Sequence, residues 1–203
     1  MRTFRVYLLP FLITLLLVVL VHSFVLTQVG VSKKSECYPL QAGDHVFVLR
    51  KSFSTPQRGD IIAFSHPQTG ETCLAIIEAL SGDSLWTDSV RQQVLTQRRS
   101  LSDGGLVLPA SRKPVEVDSA NVSLLAYLRQ LESTPADSAE TLILGHSIRL
   151  SDDYFWTTTY GPVGRRHLIG VCHGTSFSSR DGHIQWNRCF RTITTLKRFA
   201  ALQ

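Results

Sequence analysis

The chain has 203 residues and carries 21 Lys and Arg against 16 Asp and Glu, which gives a formal net charge of +5. This length allows one apolar segment and one domain with its own core. The basic residues are scattered rather than arranged as a stripe with aromatic residues, so the composition does not favour nucleic-acid binding. Four cysteines without a Cys-x-x-Cys pair, and no glycine-rich phosphate loop, give no indication of a metal site or a cofactor.

The N-terminal segment predicts a membrane anchor. Arg2 and Arg5 precede a run from Val6 to Ser32 without formal charge. About 20 residues cross a hydrocarbon core as a helix, so the run is long enough to span a bilayer. A cleaved signal peptide is the alternative, but its apolar region would be shorter and would end at a small-x-small site. We therefore expect residues 1–32 to be a start and transmembrane anchor in contact with membrane lipid.

Residues 33–203 predict a mostly β domain. Short runs of β-branched and aromatic residues follow Gly-Asp turn signals at Gly43-Asp44, Gly59-Asp60 and Gly82-Asp83. Asn121 to Glu132 instead has helical spacing of its leucines, and Thr134-Pro135 predicts its end. The sequence therefore favours antiparallel sheets with one surface helix near residues 121–132.

Three sequence blocks resemble those of bacterial type I signal peptidases, the leader peptidases of the S26 family. Ser35-Glu36-Cys37-Tyr38-Pro39-Leu40-Gln41-Ala42-Gly43-Asp44 is similar to the family's nucleophile block, Ser-Met-x-Pro-Thr-Leu-x-x-Gly-Asp. Arg58-Gly59-Asp60-Ile61-Ile62-Ala63-Phe64 is similar to Arg-Gly-Asp-Ile-Val-x-Phe, and Asp153-Tyr154-Phe155-Trp156 to Asp-Tyr-Tyr-Trp. The order and spacing of the blocks extend the resemblance over nearly the whole chain.

The resemblance implies a fold, an activity and a location. The fold would be coiled antiparallel sheets with one inserted helix behind a transmembrane anchor, and the activity would be that of a serine endopeptidase that cleaves leader peptides. Ser35 falls at the nucleophile position and Ala75 at the position of the lysine that serves the family as general base. The N-terminus would be cytoplasmic, and the β domain would lie outside the bacterial cytoplasmic membrane.

Several residues that carry the family's chemistry are replaced. A serine hydroxyl needs an adjacent base to become a nucleophile, and Ala75 cannot supply one. Ile76 stands for the arginine after the lysine, Lys33 for a serine of the oxyanion hole, and Glu36 for the methionine. Only Thr157-Thr158-Thr159 remains where the family has a longer loop before Gly161. We therefore expect impaired catalysis.

Three functional hypotheses stay open. The protein could be an impaired signal-peptidase-like protein that still binds leader peptides of exported proteins or assists an active paralogue. It could be an active signal peptidase that uses Ser35 with an unrecognised base. Lys33 falls on the same face of the segment as Ser35, whereas nothing in the spacing aims His45 or His66 at it. It could also be a purely structural membrane-tethered β domain.

The same resemblance bears on the cysteines. If the Ser35 and Ala75 segments approach each other as in the family, locally antiparallel, then Cys37 faces Cys73 on the same side. An oxidising compartment would allow these two to close a disulfide, and Cys172 with Cys189 to form a second. Four free buried thiols are the alternative.

Overall fold

The computed structural model describes residues 2–35, 37–88, 93–95, 105–119, 121–132, 143–180 and 182–194. Its helices are α1 (Arg2–Phe24) and α2 (Val122–Glu132). Two short 3₁₀ turns lie at Lys33–Ser35 and Arg165–His167, and the first is called the serine turn below. Glu36 lies outside the described residues.

The described strands form one large sheet and two small ones. The strands are β1 (Leu26–Gly30), β2 (Asp44–Arg50), β3 (Ile61–Ser65), β4 (Thr72–Ala79), β5 (Ser84–Asp88), β6 (Gln93–Leu95), β7 (Gly105–Val107), β8 (Pro114–Glu116), β9 (Ser147–Arg149), β10 (Tyr154–Thr157), β11 (Gly161–Gly164), β12 (Leu168–Arg180), β13 (His183–Ile184) and β14 (Arg191–Thr192). In the described part of the chain, the large sheet runs in the order β1-β2-β12-β3-β4-β10-β11, with β13 and β14 also paired to β12. Its pairings are antiparallel, and register shifts in β12 and β10 bend it.

The apolar N-terminal run differs from the prediction. The helix ends at Phe24, and Leu26–Gly30 pairs with β2 as an edge strand, so Val6 to Ser32 is not one helix. A short apolar segment can form a helix or a strand, and here pairing with β2 makes the segment a strand. Among the residues that the structure describes, no helix is long and apolar enough to cross a membrane. The transmembrane helix predicted from the sequence is therefore not found.

The core lies on both faces of β3 and β4, because side chains alternate along a strand. On one face, Ile61, Ala63 and Leu74 pack with residues of β1 and β2, a group we call the first cluster. On the other face, Ile62, Phe64, Cys73, Ala75 and Ile77 pack against β10, β11 and β12 as the second cluster. The two faces place different residues around the candidate site.

The predicted helix is confirmed as α2, and its position is fixed by packing and by its C-terminal end. Leu125 and Leu128 are fully buried in a third cluster with Tyr154, whose hydroxyl donates to Leu128 O at 3.2 Å. Arg166 donates to Leu131 O at 2.6 Å and to Glu132 O at 3.2 Å. A cation on these unsatisfied carbonyls stabilises the helix end.

The three Gly-Asp corners adopt the same turn. Gly43, Gly59 and Gly82 have φ values of 90°, 86° and 93°, which glycine adopts without steric cost. In each turn the Asp N–H donates to the carbonyl three residues back, and the Asp carboxylate accepts from the N–H of that same residue. The repeated motif thus starts β2 and β3 and precedes β5, as the turn signals predicted.

Candidate functional site

The nucleophile position lies in the serine turn, at the end of the segment that follows β1. Ser35 is only 3% exposed. Its Oγ lies 2.9 Å from Ser32 Oγ, accepts from Ser32 N–H at 3.2 Å, and is 3.4 Å from Ser32 O. Within the described residues, every hydrogen bond of Ser35 Oγ is to Ser32. The hydroxyl therefore closes its own turn.

The predicted base position, Ala75, lies in β4. The serine turn contacts this strand. Ala75 is 0% exposed, and its methyl group packs in the second cluster beside Ile62 and Phe64. A methyl group accepts no proton, so this position supplies no base.

The two candidate histidines contact other groups. His66 Nδ1 accepts from the N–H groups of Gln68 and Thr69 at 3.3 and 3.4 Å. The ring of His45 packs against Phe177 with 5.8 Å between centroids. Lys33 is exposed on the serine turn. In the part of the chain that the structure describes, no lysine or histidine nitrogen hydrogen-bonds Ser35.

Tyr160 is a site residue that the sequence reasoning missed. It follows β10, and its hydroxyl donates to Lys34 O at 3.2 Å and also hydrogen-bonds the Cys73 side chain. Its ring packs edge-on against Phe64 with 5.3 Å between centroids. Burial and the neighbouring Cys73 side chain raise the pKa of Tyr160 to about 12, so the phenol stays protonated at neutral pH and is not a base. Nothing in the local pattern Tyr160-Gly161-Pro162 indicates this contact.

The cysteine pairing predicted from the resemblance is not formed. Cys37, Cys73, Cys172 and Cys189 are all free and buried. Cys37 packs in the first cluster together with Cys172, whereas Cys73 packs in the second, so Cys37 and Cys73 do not share a face. The reason is the serine turn, whose 3₁₀ geometry breaks the strand alternation that the prediction assumed. Burial raises the pKa of Cys37 to about 11, which keeps it a thiol.

A buried ion pair holds the Gly-Asp corner that follows the serine turn. Asp44 is 1% exposed, and Arg188 donates to both of its carboxylate oxygens, at 2.5 and 3.2 Å. Ser178 Oγ donates at 2.6 Å. Burial alone would raise the pKa of Asp44, but the hydrogen bonds from Arg188, Ser178 and Gln41 and the charge of Arg188 outweigh it, so the pKa is lowered. Arg188 also donates to Pro39 O at 3.0 Å, which ties the last hairpin to the loop after Ser35.

The first half of β4 has an open edge beside the serine turn. In the described chain, β10 pairs with β4 only at Ile77 and Ala79, and no strand covers the outer side of Thr72–Ala75. Ile76 directs its carbonyl to this outer side, where it accepts from Thr158 N–H at 3.2 Å. Leu74, two residues earlier, directs its N–H and C=O the same way, because backbone groups alternate along a strand. These are the groups that an added strand would bond.

The described residues contain no group of three or more His, Cys, Asp or Glu side chains that could hold a metal ion. The site consists of a serine turn in which Ser35 is buried, the buried Ala75, the hydrogen bond from Tyr160 to Lys34 O, and an open strand edge.

A coiled antiparallel sheet with a serine turn packed against β4 is the arrangement of a signal-peptidase-type β domain. The family model of signal peptidases, peptidase S26, matches residues 4–173, so the chain belongs to that family. No curated protein matches the chain.

Proposed function

We propose that this member of the signal peptidase family binds leader peptides of exported proteins without cleaving them efficiently. The observation that carries the proposal is Ala75, a fully buried methyl group at the family's base position. General-base catalysis contributes roughly 10²–10⁴-fold to the rate, and its loss leaves an unactivated hydroxyl.

The state of Ser35 supports the same proposal. A nucleophile must be reachable by a substrate carbonyl, and this hydroxyl is buried and bonded to Ser32. Tyr160 lies on the adjacent carbonyl of Lys34, and its phenol stays protonated. The surroundings of Ser35 thus favour a static turn over a reactive serine.

Peptide binding is supported by the open edge of β4. An extended peptide can add to an exposed strand edge by main-chain hydrogen bonds. The outward N–H and C=O of Leu74 provide one such pair, and the serine turn contacts the same strand. Peptides held here without turnover would be kept from, or delivered to, an active paralogue.

We further propose that α1 associates with the bacterial cytoplasmic membrane and that the β domain lies outside the cytoplasm. The apolar side chains of α1 are exposed, among them Leu9, Phe11, Ile13, Leu16 and Leu17. In the described chain, β1 is the one element that makes more than one or two contacts with α1. An apolar helix surface of this size is unfavourable in water and favourable in lipid.

Cleavage of a leader peptide ending in Ala-x-Ala by the detergent-purified full chain tests the catalytic part of the proposal. We expect no turnover above that of Ser35→Ala, because an unactivated hydroxyl contributes little. Turnover by the wild type that Ser35→Ala abolishes would show that the protein is a working peptidase with another base.

Binding of an uncleavable leader peptide, measured by fluorescence anisotropy, tests the peptide part. A series of peptides, each N-methylated at one position, leaves the protein intact and removes one N–H at a time. We expect binding to be lost at alternating positions around the residue that faces Leu74, since only every second N–H points to β4. Equal binding across the series, or no binding by any peptide, contradicts strand addition and favours a purely structural domain.

Two measurements test the membrane part. Alkaline carbonate extraction of cell membranes should leave the full chain in the pellet, whereas a chain beginning at Val25 should be released. A phosphatase reporter fused at the C-terminus should be active only if the β domain is exported. A soluble full chain, or an inactive reporter on a stably expressed fusion, would contradict the proposal.

A further inference from the structure

We infer that residues 50–54, which we call the β2 turn, bind anionic phospholipid headgroups where α1 meets the β domain. The inference rests on the proposed membrane association of α1. It adds a preference for one class of lipid, which the apolar side chains of α1 do not provide because they contact acyl chains rather than headgroups.

The β2 turn lies directly beside the end of α1. The helix ends at Phe24, and the carbonyl of the next residue, Val25, accepts from Arg50 N–H at 3.0 Å. The Arg50 guanidinium donates to Thr27 Oγ1 at 3.4 Å, in the strand that follows the helix. Lipid that covers the exposed apolar side chains of α1 therefore brings its headgroups next to this turn.

Hydrogen bonds close the β2 turn and leave an aromatic ring in solvent. Phe53 N–H donates to Arg50 O at 2.8 Å, and Lys51 N–H donates to Ile169 O at 3.0 Å, which joins the turn to β12. Phe53 nevertheless remains 56% exposed, and Phe24 at the helix end is 63% exposed. Phenylalanine rings beside an apolar helix gain free energy when they enter the boundary between headgroups and acyl chains.

The two cations of the β2 turn have no acidic partner within the described chain. Arg50 and Lys51 are both exposed, and neither forms an ion pair there. Lys51 Nζ donates to Arg166 O at 3.2 Å, but a carbonyl oxygen leaves its charge uncompensated. The neighbouring Arg166 side chain, in contrast, lies 3.8 Å from the carboxylate of Asp152.

Charge and apolar surface together select the ligand. An anionic lipid surface attracts exposed cations, over a Debye length of about 10 Å at 0.1 M salt. A soluble anion would bind Arg50 and Lys51 but leave the Phe53 ring in water. A phospholipid supplies a phosphate for the cations and acyl chains for the ring, so an anionic lipid such as phosphatidylglycerol fits the turn better than zwitterionic phosphatidylcholine.

The full chain in lipid nanodiscs, with a fluorescent probe on Ser52→Cys in the exposed turn, tests the inference. Wild-type protein labelled in parallel gives the background from the four buried native thiols. Quenching is measured against the mole fraction of nitroxide-labelled phosphatidylglycerol, or of phosphatidylcholine labelled in the same way. We expect phosphatidylglycerol to associate with the turn roughly ten- to thirtyfold more tightly, as two cations near an anionic surface predict. The preference should disappear at about 1 M salt, where the Debye length is about 3 Å.

Charge variants and a second probe position provide the controls. Arg50→Gln combined with Lys51→Gln should abolish the preference for phosphatidylglycerol. Arg58→Gln combined with Arg180→Gln removes the same charge from two other exposed positions of the domain and should preserve it. A probe on His183→Cys, at the opposite end of β12, should be quenched weakly by both lipids.

Two sets of outcomes separate this inference from the proposed function. Equal association of both lipids, a preference that survives the loss of both cations, or an unquenched Ser52→Cys probe in nanodiscs that contain the chain would overturn the lipid site. Each of these results would leave the proposed membrane association standing. A full chain that does not enter nanodiscs and is released by alkaline carbonate would instead overturn the proposed membrane association and the lipid site with it.

Discussion

Breaking the Asp44–Arg188 pair should be among the most damaging single changes in the β domain. Asp44 is 1% exposed, and the Arg188 side chain is 14% exposed. Removing one partner of a buried pair leaves the other charge desolvated and uncompensated, which costs about 3–5 kcal/mol. A domain is stabilised by only about 5–15 kcal/mol in total, so Asp44→Asn should remove a large share.

A matched surface pair provides the control. Arg58 and Asp83 lie 3.0 Å apart, but their side chains are 48% and 37% exposed. Exposed pairs contribute about 0–1 kcal/mol, so Arg58→Ala should change the free energy of unfolding little. Urea denaturation of the detergent-solubilised full chain, followed by tryptophan fluorescence, measures both variants. Equal effects of Asp44→Asn and Arg58→Ala would refute the reasoning.

The same pair predicts a pH dependence of stability. The pKa of Asp44 is lowered in the folded protein, because the bonds and charge of Arg188 outweigh burial. The native state therefore favours the ionised form, and the stabilisation is fully present above the unfolded aspartate pKa of about 3.9. It is lost as the pH falls through the lower folded value. In Asp44→Asn this part of the acid dependence should disappear, and an unchanged acid profile would contradict the assignment.

Three further changes have defined outcomes. In a urea titration, Gly43→Ala should lower the free energy of unfolding by at least about 3 kcal/mol, because the new Cβ would lie 1.9 Å from Ser179 O. The control Gly59→Ala should lower it by about 1–2 kcal/mol, because a Cβ at that position meets no atom within 4 Å. Native protein should react slowly with a thiol reagent at pH 8 and release its thiols only in denaturant, because Cys37 is buried with a pKa of about 11; rapid titration of Cys37 in the native state would show that the segment opens. Ala75→Lys should restore at most a trace of leader-peptide cleavage, and robust turnover would show that the lysine was the one missing part.

The parts of the fold that could be predicted are those with local signals. Each Gly-Asp pair marks a turn in which glycine takes a positive φ and the aspartate bonds back across the turn, and all three were predicted from the sequence. The leucine spacing of α2 gave its bounds to within one residue. These signals lie within a few residues, so tertiary packing does not override them.

The features that were missed depend on distant residues. The composition of Leu26–Gly30 allows a helix or a strand, and the segment becomes a strand because it pairs with β2. The contacts of Asp44 with Arg188, and of Tyr160 with Lys34, join residues more than a hundred positions apart. Cys37 was placed opposite Cys73 by extending strand alternation through residues that form a 3₁₀ turn. No local pattern specifies such contacts.

The surroundings of Ala75 explain why the fold persists without the family's base. An alanine between Ile62, Phe64 and Ile77 completes the second cluster without burying a polar group, so no free energy is spent on desolvating an amine. A lysine there would need space for about four more heavy atoms in a close-packed core. The turns and the Asp44–Arg188 pair make no bond to position 75, and the sheet uses only its backbone, in the pairing of Ala75 with Ile62. Stability and chemistry are therefore separable at this position, as the proposed function requires.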